Sequence, residues 1–422
     1  MHEALISALA RAARLDHTAS GADLARAAAA EAAHPGAERA LLEQRLGWLE
    51  RGTSEQELAG LDPVQDSDRI YYHLLCTFRA ESRLVETLAI NRVATWESLA
   101  LFLRSTGEAE HSPLPRFFDT YALFANFFEW GEHSQRGSAA VRRINQIHGR
   151  YHLPADGMKY VLLNTAFTWL DGIDRIGHRP LSELEREGFF QAHLRLGRAM
   201  MIDGLSADRS QMYAWFRAIN ASNAFHTAFK TDTFETFVGN SFGAALRERD
   251  VLIDAARVAM DEHYRAALGY AAPGVELTRA VRAAVVTVSA QVRALPAPRW
   301  VRSLEATPFR PAGSRPEELG VSARSPRLPP AAEALPVYGW DEIRRHRSLA
   351  SLWLVIDGDV YDVSGFAAQH PGGAERLHEW GGRDASHAFG AAAHSSATRV
   401  LRLNYRIGRV LEPEPAEALP AE

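Results

Sequence analysis

Residues 362–401 read DVSGFAAQHPGGAERLHEWGGRDASHAFGAAAHSSATRVL, and two histidines stand out in them. His370 opens a His-Pro-Gly-Gly turn, and His394 follows 24 residues later, ahead of a Ser-Ser pair. Proline stiffens such a loop, while the glycines permit tight backbone geometry and leave room beside a ring. Six-coordinate haem iron takes one ligand from each side of the porphyrin, and neutral imidazole is the usual one. Phe366, Leu377, Trp380, Phe389, Ala392 and Leu401 lie around the pair and can wall a flat apolar cofactor. The competing reading is a small domain with an incidental His-Pro-Gly-Gly, since a lone histidine is more often an ordinary core or surface residue.

Working outward, SLWLVIDGDVYDVSGF carries β-rich patterning around an Asp-Gly pair, which predicts a hairpin of Leu352–Ile356 and Val360–Val363. Further upstream, between Pro296 and Pro336, the chain holds 9 of its 20 prolines, with Ser, Arg and Gly between them. That composition predicts an extended, semi-stiff linker without a core of its own. Residues 1–295 read instead as helix after helix, broken at HSPLPR, HLPADG and GIDRIGHRPLS. Ser182 and Glu185 form a capping box ahead of GFFQAHLRLGRAMM, where Phe189, His193, Leu196 and Met200 recur at helical spacing. The expected fold is multidomain: a large all-α domain (1–295), a Pro-rich linker (296–336), a small α+β domain (337–411) and a tail (412–422).

Bulk composition narrows the function classes. A chain of 422 residues has room for two to three domains, and 46% hydrophobic with 23% charged residues is ordinary for a globular protein. The net charge of -5 argues against a nucleic-acid binder, which normally carries a basic stripe. One cysteine, Cys76, excludes an internal disulfide framework and a multi-cysteine zinc site. The first residues lack a basic region followed by an apolar core, and no window approaches about 18 uninterrupted apolar residues. The sequence therefore predicts a soluble, cytoplasmic protein with no signal peptide and no transmembrane segment.

Residues 337–411 resemble the cytochrome b5 haem-binding domain. The resemblance rests on WDEI, WLVIDGDVYDVSGF, HPGG, GGRDASHAF, His394-Ser395 and the closing YRIGRV. It implies that His370 and His394 are the axial ligands of a haem b iron, with Phe366, Leu377 and Phe389 against the cofactor. It also implies one-electron transfer, with no iron position open to oxygen. His378 and His387 fall outside the family's ligand positions and read as surface residues. Acidic and basic residues nearly balance from Val337 to Val410, whereas free-standing members are often strongly acidic. A tether raises a partner's local concentration and makes long-range steering less necessary, which favours an electron acceptor in the same chain.

The helical domain offers fewer pointers. If AAVRRINQIHGRYH is one helix, Val141, Ile144, His148, Tyr151 and His152 share a side, and His148 is either a neutral core histidine or a haem or metal ligand. His148 and His152 would also make an HxxxH pair able to bind one metal. In QMYAWFRAINASNAFHTAFKTD, helical spacing aligns Met212, Trp215, Ile219, Ser222, His226 and Phe229, so His226 either belongs to the core or faces a cofactor or substrate. Arg142, Arg143 and Arg150 can pair with haem propionates or simply be solvated, and RFFDT can hold an internal Arg116–Asp119 ion pair.

In order along the chain, RFFDT, RRINQIHGRYHL, DGMKYVLLNTAF and LGRAMMI resemble the MpaB and latex-clearing rubber oxygenase family, as does HYRAALGYAAP. The resemblance implies an all-helical fold and haem-dependent oxygenative cleavage of double bonds in isoprenoid-like molecules. The family's proximal histidine is expected in the helix after the Arg-rich one, yet Met158–Leu170 contains none. Either the ligand of a second haem b has moved to His148, the candidate iron ligand, or to His226, or this domain does something else; His148, His226 and Arg143 are the catalytic candidates. The leading expectation is a haem-dependent oxygenase acting on an apolar small molecule and O2, fed by the fused haem domain and an external reductase. Two alternatives stand beside it: a non-catalytic electron-transfer protein with a helical docking scaffold, or a non-haem metal oxidase fed by the same domain. The pattern expected of a bundle diiron site is missing.

Overall fold

A computed structural model describes residues 3, 6–7, 21–32, 38–106, 113–153, 156–242, 249–293, 301–304, 310, 313–320, 335–392, 394, 398–399 and 402–412. The expected tail beyond 412, Leu401 and most of 321–336 lie outside the described residues. The chain forms a helical unit of residues 1–100, 108–147 and 158–321, and a second unit of residues 101–107, 148–157 and 322–422.

The helical unit is built from amphipathic helices around one main apolar core. The capping box is formed as expected: the Glu185 N–H donates to Ser182 Oγ at 3.2 Å, and the Ser182 N–H to Glu185 Oε2 at 2.7 Å. It opens the Glu183–Ala199 helix, on which Phe189, His193 and Leu196 are buried. Gly188 lets this helix approach the Ser67–Thr77 helix closely, because a Cβ there would sit 2.6 Å from Ile70 Cδ1.

His193 lies in an aromatic cage, with the rings of Phe189, Phe128 and Tyr71 at 4.7, 5.3 and 5.6 Å. Burial pushes its imidazole down to about 4, against the pull of the Phe189 carbonyl that accepts from Nδ1. Unfolded, it titrates near 6.5, so between 6.5 and about 4 the unfolded chain binds a proton that the folded chain refuses. Stability of the helical unit is therefore expected to fall by about 3 kcal/mol as pH drops through that window. Unfolding titrations at several pH values check this, and His193→Leu should flatten that part of the profile.

Three sequence expectations are corrected here. The Arg-rich helix runs Gln135–His148 and stops there. Tyr151 and His152 lie beyond its end, so His148 and His152 do not share a helical face and the HxxxH metal reading fails. The Arg209–Ser222 helix likewise ends before His226, which sits exposed in the following loop rather than on an apolar stripe.

The third correction concerns the Pro-rich segment. Val301 and Leu304 are buried with Trp48, Tyr72 and Trp130, and Leu319 with Leu123, Ala140 and Ile144. Arg302 makes a two-pronged ion pair with Glu86 at 2.7 and 2.8 Å, while Glu129 accepts the backbone N–H groups of Arg302 and Ser303. Asp119 receives Arg310 at 3.0 and 3.1 Å and the Gly320 N–H at 2.8 Å, while the side chain of Arg116, its expected partner, lies outside the described residues. Prolines prevent helix and ladder, but carboxylates of the helices satisfy the backbone and arginines left between them. Residues 301–320, as far as they are described, are part of the helical unit.

In the second unit a five-stranded sheet has the order β1-β5-β4-β3-β2, with β1 Val337–Tyr338, β2 Arg347–Ser348, β3 Ser351–Ile356, β4 Asp359–Asp362 and β5 Arg406–Val410. The β3–β4 hairpin turns at Asp357 and Gly358, both with positive φ (54° and 79°), the conformation an Asp-Gly turn favours. β1 pairs parallel to β5, Val337 beside Arg409 and Tyr338 beside Val410, and the Trp340 indole N–H donates to the Glu412 carbonyl. One face of the sheet buries Leu352, Leu354, Ile356 and Tyr361 beneath the segments that carry the two histidines.

Candidate functional site

The first histidine is set by its turn. A 3-10 turn, Ala367–Gln369, ends at His370, and the Gly373 N–H returns to the His370 carbonyl at 2.9 Å. Gly373 has φ +88°, which aims its own carbonyl at the ring; it accepts from His370 Nδ1 at 3.1 Å. Gly372 leaves the space beside the ring: a Cβ there would lie 2.9 Å from Cε1 and 3.2 Å from Nδ1. The Phe366 ring stands edge-on to the imidazole at 5.7 Å.

The second histidine follows the Ser386–Ala391 helix. His394 Nδ1 faces the Phe389 carbonyl at 3.2 Å, and the Phe389 ring stacks on the imidazole at 4.3 Å and 17°. A carbonyl can only accept, so both Nδ1 atoms carry the hydrogen and both Nε2 atoms keep a lone pair. No described residue hydrogen-bonds either Nε2. Burial holds His370 below its ordinary range, the Gly373 carbonyl opposes this, and the nearby His394 adds to the lowering.

Phe366, Leu377, Trp380 and Phe389 are partly buried at the edge of the apolar cluster. Two imidazoles with oriented tautomers, a fringe of half-exposed apolar side chains and a glycine where a methyl would strike a ligand ring together fit a haem. Among the exposed histidines of this unit are His378 and His387. Gly372→Ala is expected to displace the His370 ring and weaken haem retention by ~10-fold, the scale of disturbing a ligand's orientation. Gly390→Ala, where nothing lies within 4 Å, should leave it unchanged. Haem transfer to excess apomyoglobin measures both.

The helical candidates are not assembled in this way. His148 is half-buried at the end of its helix and belongs with the second unit. Arg143 Nε donates to the Leu319 carbonyl at 2.7 Å, so it helps hold the docked Pro-rich segment. His226 Nε2 meets Thr231 Oγ1 at 3.0 Å, and its ring packs over Gly269. None of these contacts joins His226 to Arg143 or His148. Among the described residues, no three His, Cys, Asp or Glu side chains come together to hold a metal, and no helix is long and apolar enough to cross a membrane.

Sequence reasoning overlooked Tyr405 and Arg402, in the 3-10 turn Arg402–Tyr405. Tyr405 packs on Phe366 at 5.1 Å, and the Arg402 guanidinium lies 4.9 Å from the Phe389 ring. They stand behind the aromatic rings that contact the histidines; Tyr405 opens the YRIGRV stretch, but nothing in its spacing assigned it to Phe366.

Comparison with known proteins agrees with this geometry. Residues 339–411 match the family model described as cytochrome b5-like heme/steroid binding domain. The chain is 43% identical over 89 residues to cytochrome b5 type B of Homo sapiens, covering 20% of this chain and 59% of that protein. It is 40% identical over 76 residues to cytochrome b5 of Rhizopus stolonifer, covering 18% and 58%. A fatty acid desaturase 2-like protein, FADS2B, of Mus musculus is 48% identical over 59 residues, covering 14% and 12%. The chain thus spans just under three fifths of the length of the two cytochromes b5.

Proposed function

We propose that the second unit binds one haem b between His370 Nε2 and His394 Nε2 and serves as a one-electron carrier within this chain. The observation that carries this reading is the pair of Nδ1–carbonyl contacts, which fix both rings in the ligand tautomer and leave both Nε2 atoms for iron. A bis-histidine haem, when bound, supplies reversible one-electron transfer without an open coordination position. The residues of the chain supply the rest: Gly373 and Phe389 orient the imidazoles, and Phe366, Leu377 and Phe389 keep water from the ring edge.

The fuller proposal makes the helical unit the electron acceptor, a haem-dependent oxygenase working on an apolar, isoprenoid-like molecule and O2, with an external reductase loading the carrier. Its support is the ordered series of motifs from RFFDT to HYRAALGYAAP, with His148 as the candidate ligand of a second haem. The engagement of Arg143 with Leu319 and the exposure of His226 favour the second reading, in which the helical unit is a docking scaffold. Haem stoichiometry by pyridine haemochrome on the full chain, and on His148→Ala, separates the two. Two haems per chain, one lost with His148, supports the oxygenase. A single haem that His148→Ala leaves in place removes it and keeps the carrier. No haem at all sinks both.

A further inference from the structure

Residues 148–157 begin at the last residue of the Arg-rich helix, almost two hundred residues before the haem motif, yet they fall in the haem-bearing unit. Their attachment is specific. The His152 N–H donates to Asn404 Oδ1 at 2.7 Å, and Asn404 Nδ2 donates to the His152 carbonyl at 2.8 Å. One amide side chain therefore pairs with both backbone groups of one residue, as a neighbouring strand would. The Tyr151 ring stands edge-on to Phe102 at 5.1 Å, so the other upstream piece of this unit, 101–107, joins the same contact. The His152 imidazole is held below its ordinary range by burial and by Arg406 at the start of β5.

Asn404 occupies the turn whose other residues stand behind both ligand histidines. Arg402 lies over Phe389, which stacks on His394; Tyr405 lies against Phe366, which stands edge-on to His370. We infer that residues 149–153 are an intramolecular docking strap, seated on the Arg402–Tyr405 turn by Asn404, and that this edge of the haem unit takes its own upstream chain as partner. A separate protein seeking the same edge must displace the strap. The seating stands without the cofactor; its consequence for electron partners rests on the proposed carrier function.

The test uses the full chain with its haem. Hydrogen–deuterium exchange is followed in peptides covering 148–153, with reduction of added ferricytochrome c by the dithionite-prereduced haem of the chain as a second readout. Asn404→Ala is expected to speed exchange there by roughly 30-fold, the net worth of the two hydrogen bonds it removes, and to speed cytochrome c reduction. Asn404→Asp keeps an acceptor for the His152 N–H but loses the donor, so its exchange should fall between. Should Asn404→Ala disturb haem binding, His152→Pro removes the N–H from the strap side, together with the imidazole, and should give the same acceleration at the neighbouring amides. Wild-type protection in both Asn404→Ala and His152→Pro overturns the inference. Haem content is read on the same samples, so loss of the carrier reading and loss of the strap are told apart.

Discussion

Alanine at either His370 or His394 is expected to abolish the low-spin spectrum of the haem-bearing unit. Each imidazole presents one Nε2, and its Nδ1 is already committed to a carbonyl, Gly373 for one and Phe389 for the other. Removing one ring leaves iron five-coordinate, with a vacant face that can take up exogenous imidazole. The two variants should differ in haem retention. His370→Ala opens a site bounded by Gly372 and the edge-on Phe366 ring, whereas His394→Ala also frees the Phe389 ring that stacks on it. The greater apolar rearrangement makes His394→Ala the leakier of the two. Exposed His378→Ala and His387→Ala should keep the wild-type spectrum. Visible spectra with and without added imidazole decide the matter; a low-spin spectrum surviving in either ligand variant refutes the assignment.

The second large effect lies in the helical unit and concerns stability. Asp261→Ala is expected to cost about 3–5 kcal/mol, because it strands a guanidinium in the core. Arg92 donates from Nη1 to Asp261 at 2.6 Å and from Nε to Asn220 at 3.2 Å, and the two paired side chains are 1% and 0% exposed. The rings of Tyr264 and Phe216 lie 4.8 and 5.0 Å from the guanidinium and offer no second carboxylate. Asp261 also caps the Glu262–Ala267 helix by accepting the Tyr264 N–H. A double change, Arg92→Met with Asp261→Ala, should recover part of the loss, since no charge is left buried; denaturant titration of all three proteins measures it.

The same pair sets an acid limit. Burial alone would raise the Asp261 carboxyl, but Arg92 and the Tyr264 N–H bring it down to about 2, below its ordinary 3.8. A carboxylate depressed by folding stabilises at pH values above its unfolded range, and that contribution disappears as pH falls from about 4 towards 2. Acid should therefore weaken the helical unit in two stages, first through His193 and then through Asp261. His193→Leu should erase the first stage and leave the second.

How much of this was legible in the sequence depended on range. The Asp357-Gly358 turn, the Ser182–Glu185 box and the His-Pro-Gly-Gly loop are local: each residue's partner lies within a few positions, so spacing alone reveals them. Helix ends were less legible. Periodicity carries no stop signal, and Tyr151, His152 and His226 happened to fit the apolar face of helices that had already ended at His148 and Ser222. Least legible were partners far along the chain. Arg302 finds Glu86 across 216 positions, Arg310 finds Asp119 across 191, and Asn404 finds His152 across 252. Composition read the Pro-rich segment as linker because its prolines forbid regular structure, while the carboxylates that receive it belong to helices written long before.

The parallel pairing of β1 with β5 has an implication for how such a module travels between proteins. Val337 lies beside Arg409 and Tyr338 beside Val410, so the stretch from 337 to 410 that carries both histidines begins and ends on neighbouring strands of one sheet edge, offset by about one residue of strand, ~3.3 Å. A host polypeptide can be cut at any surface loop and rejoined around a module whose doorways adjoin. Such a fold can be gained, lost or relocated by a single insertion without prying the host apart, and its cofactor comes with it.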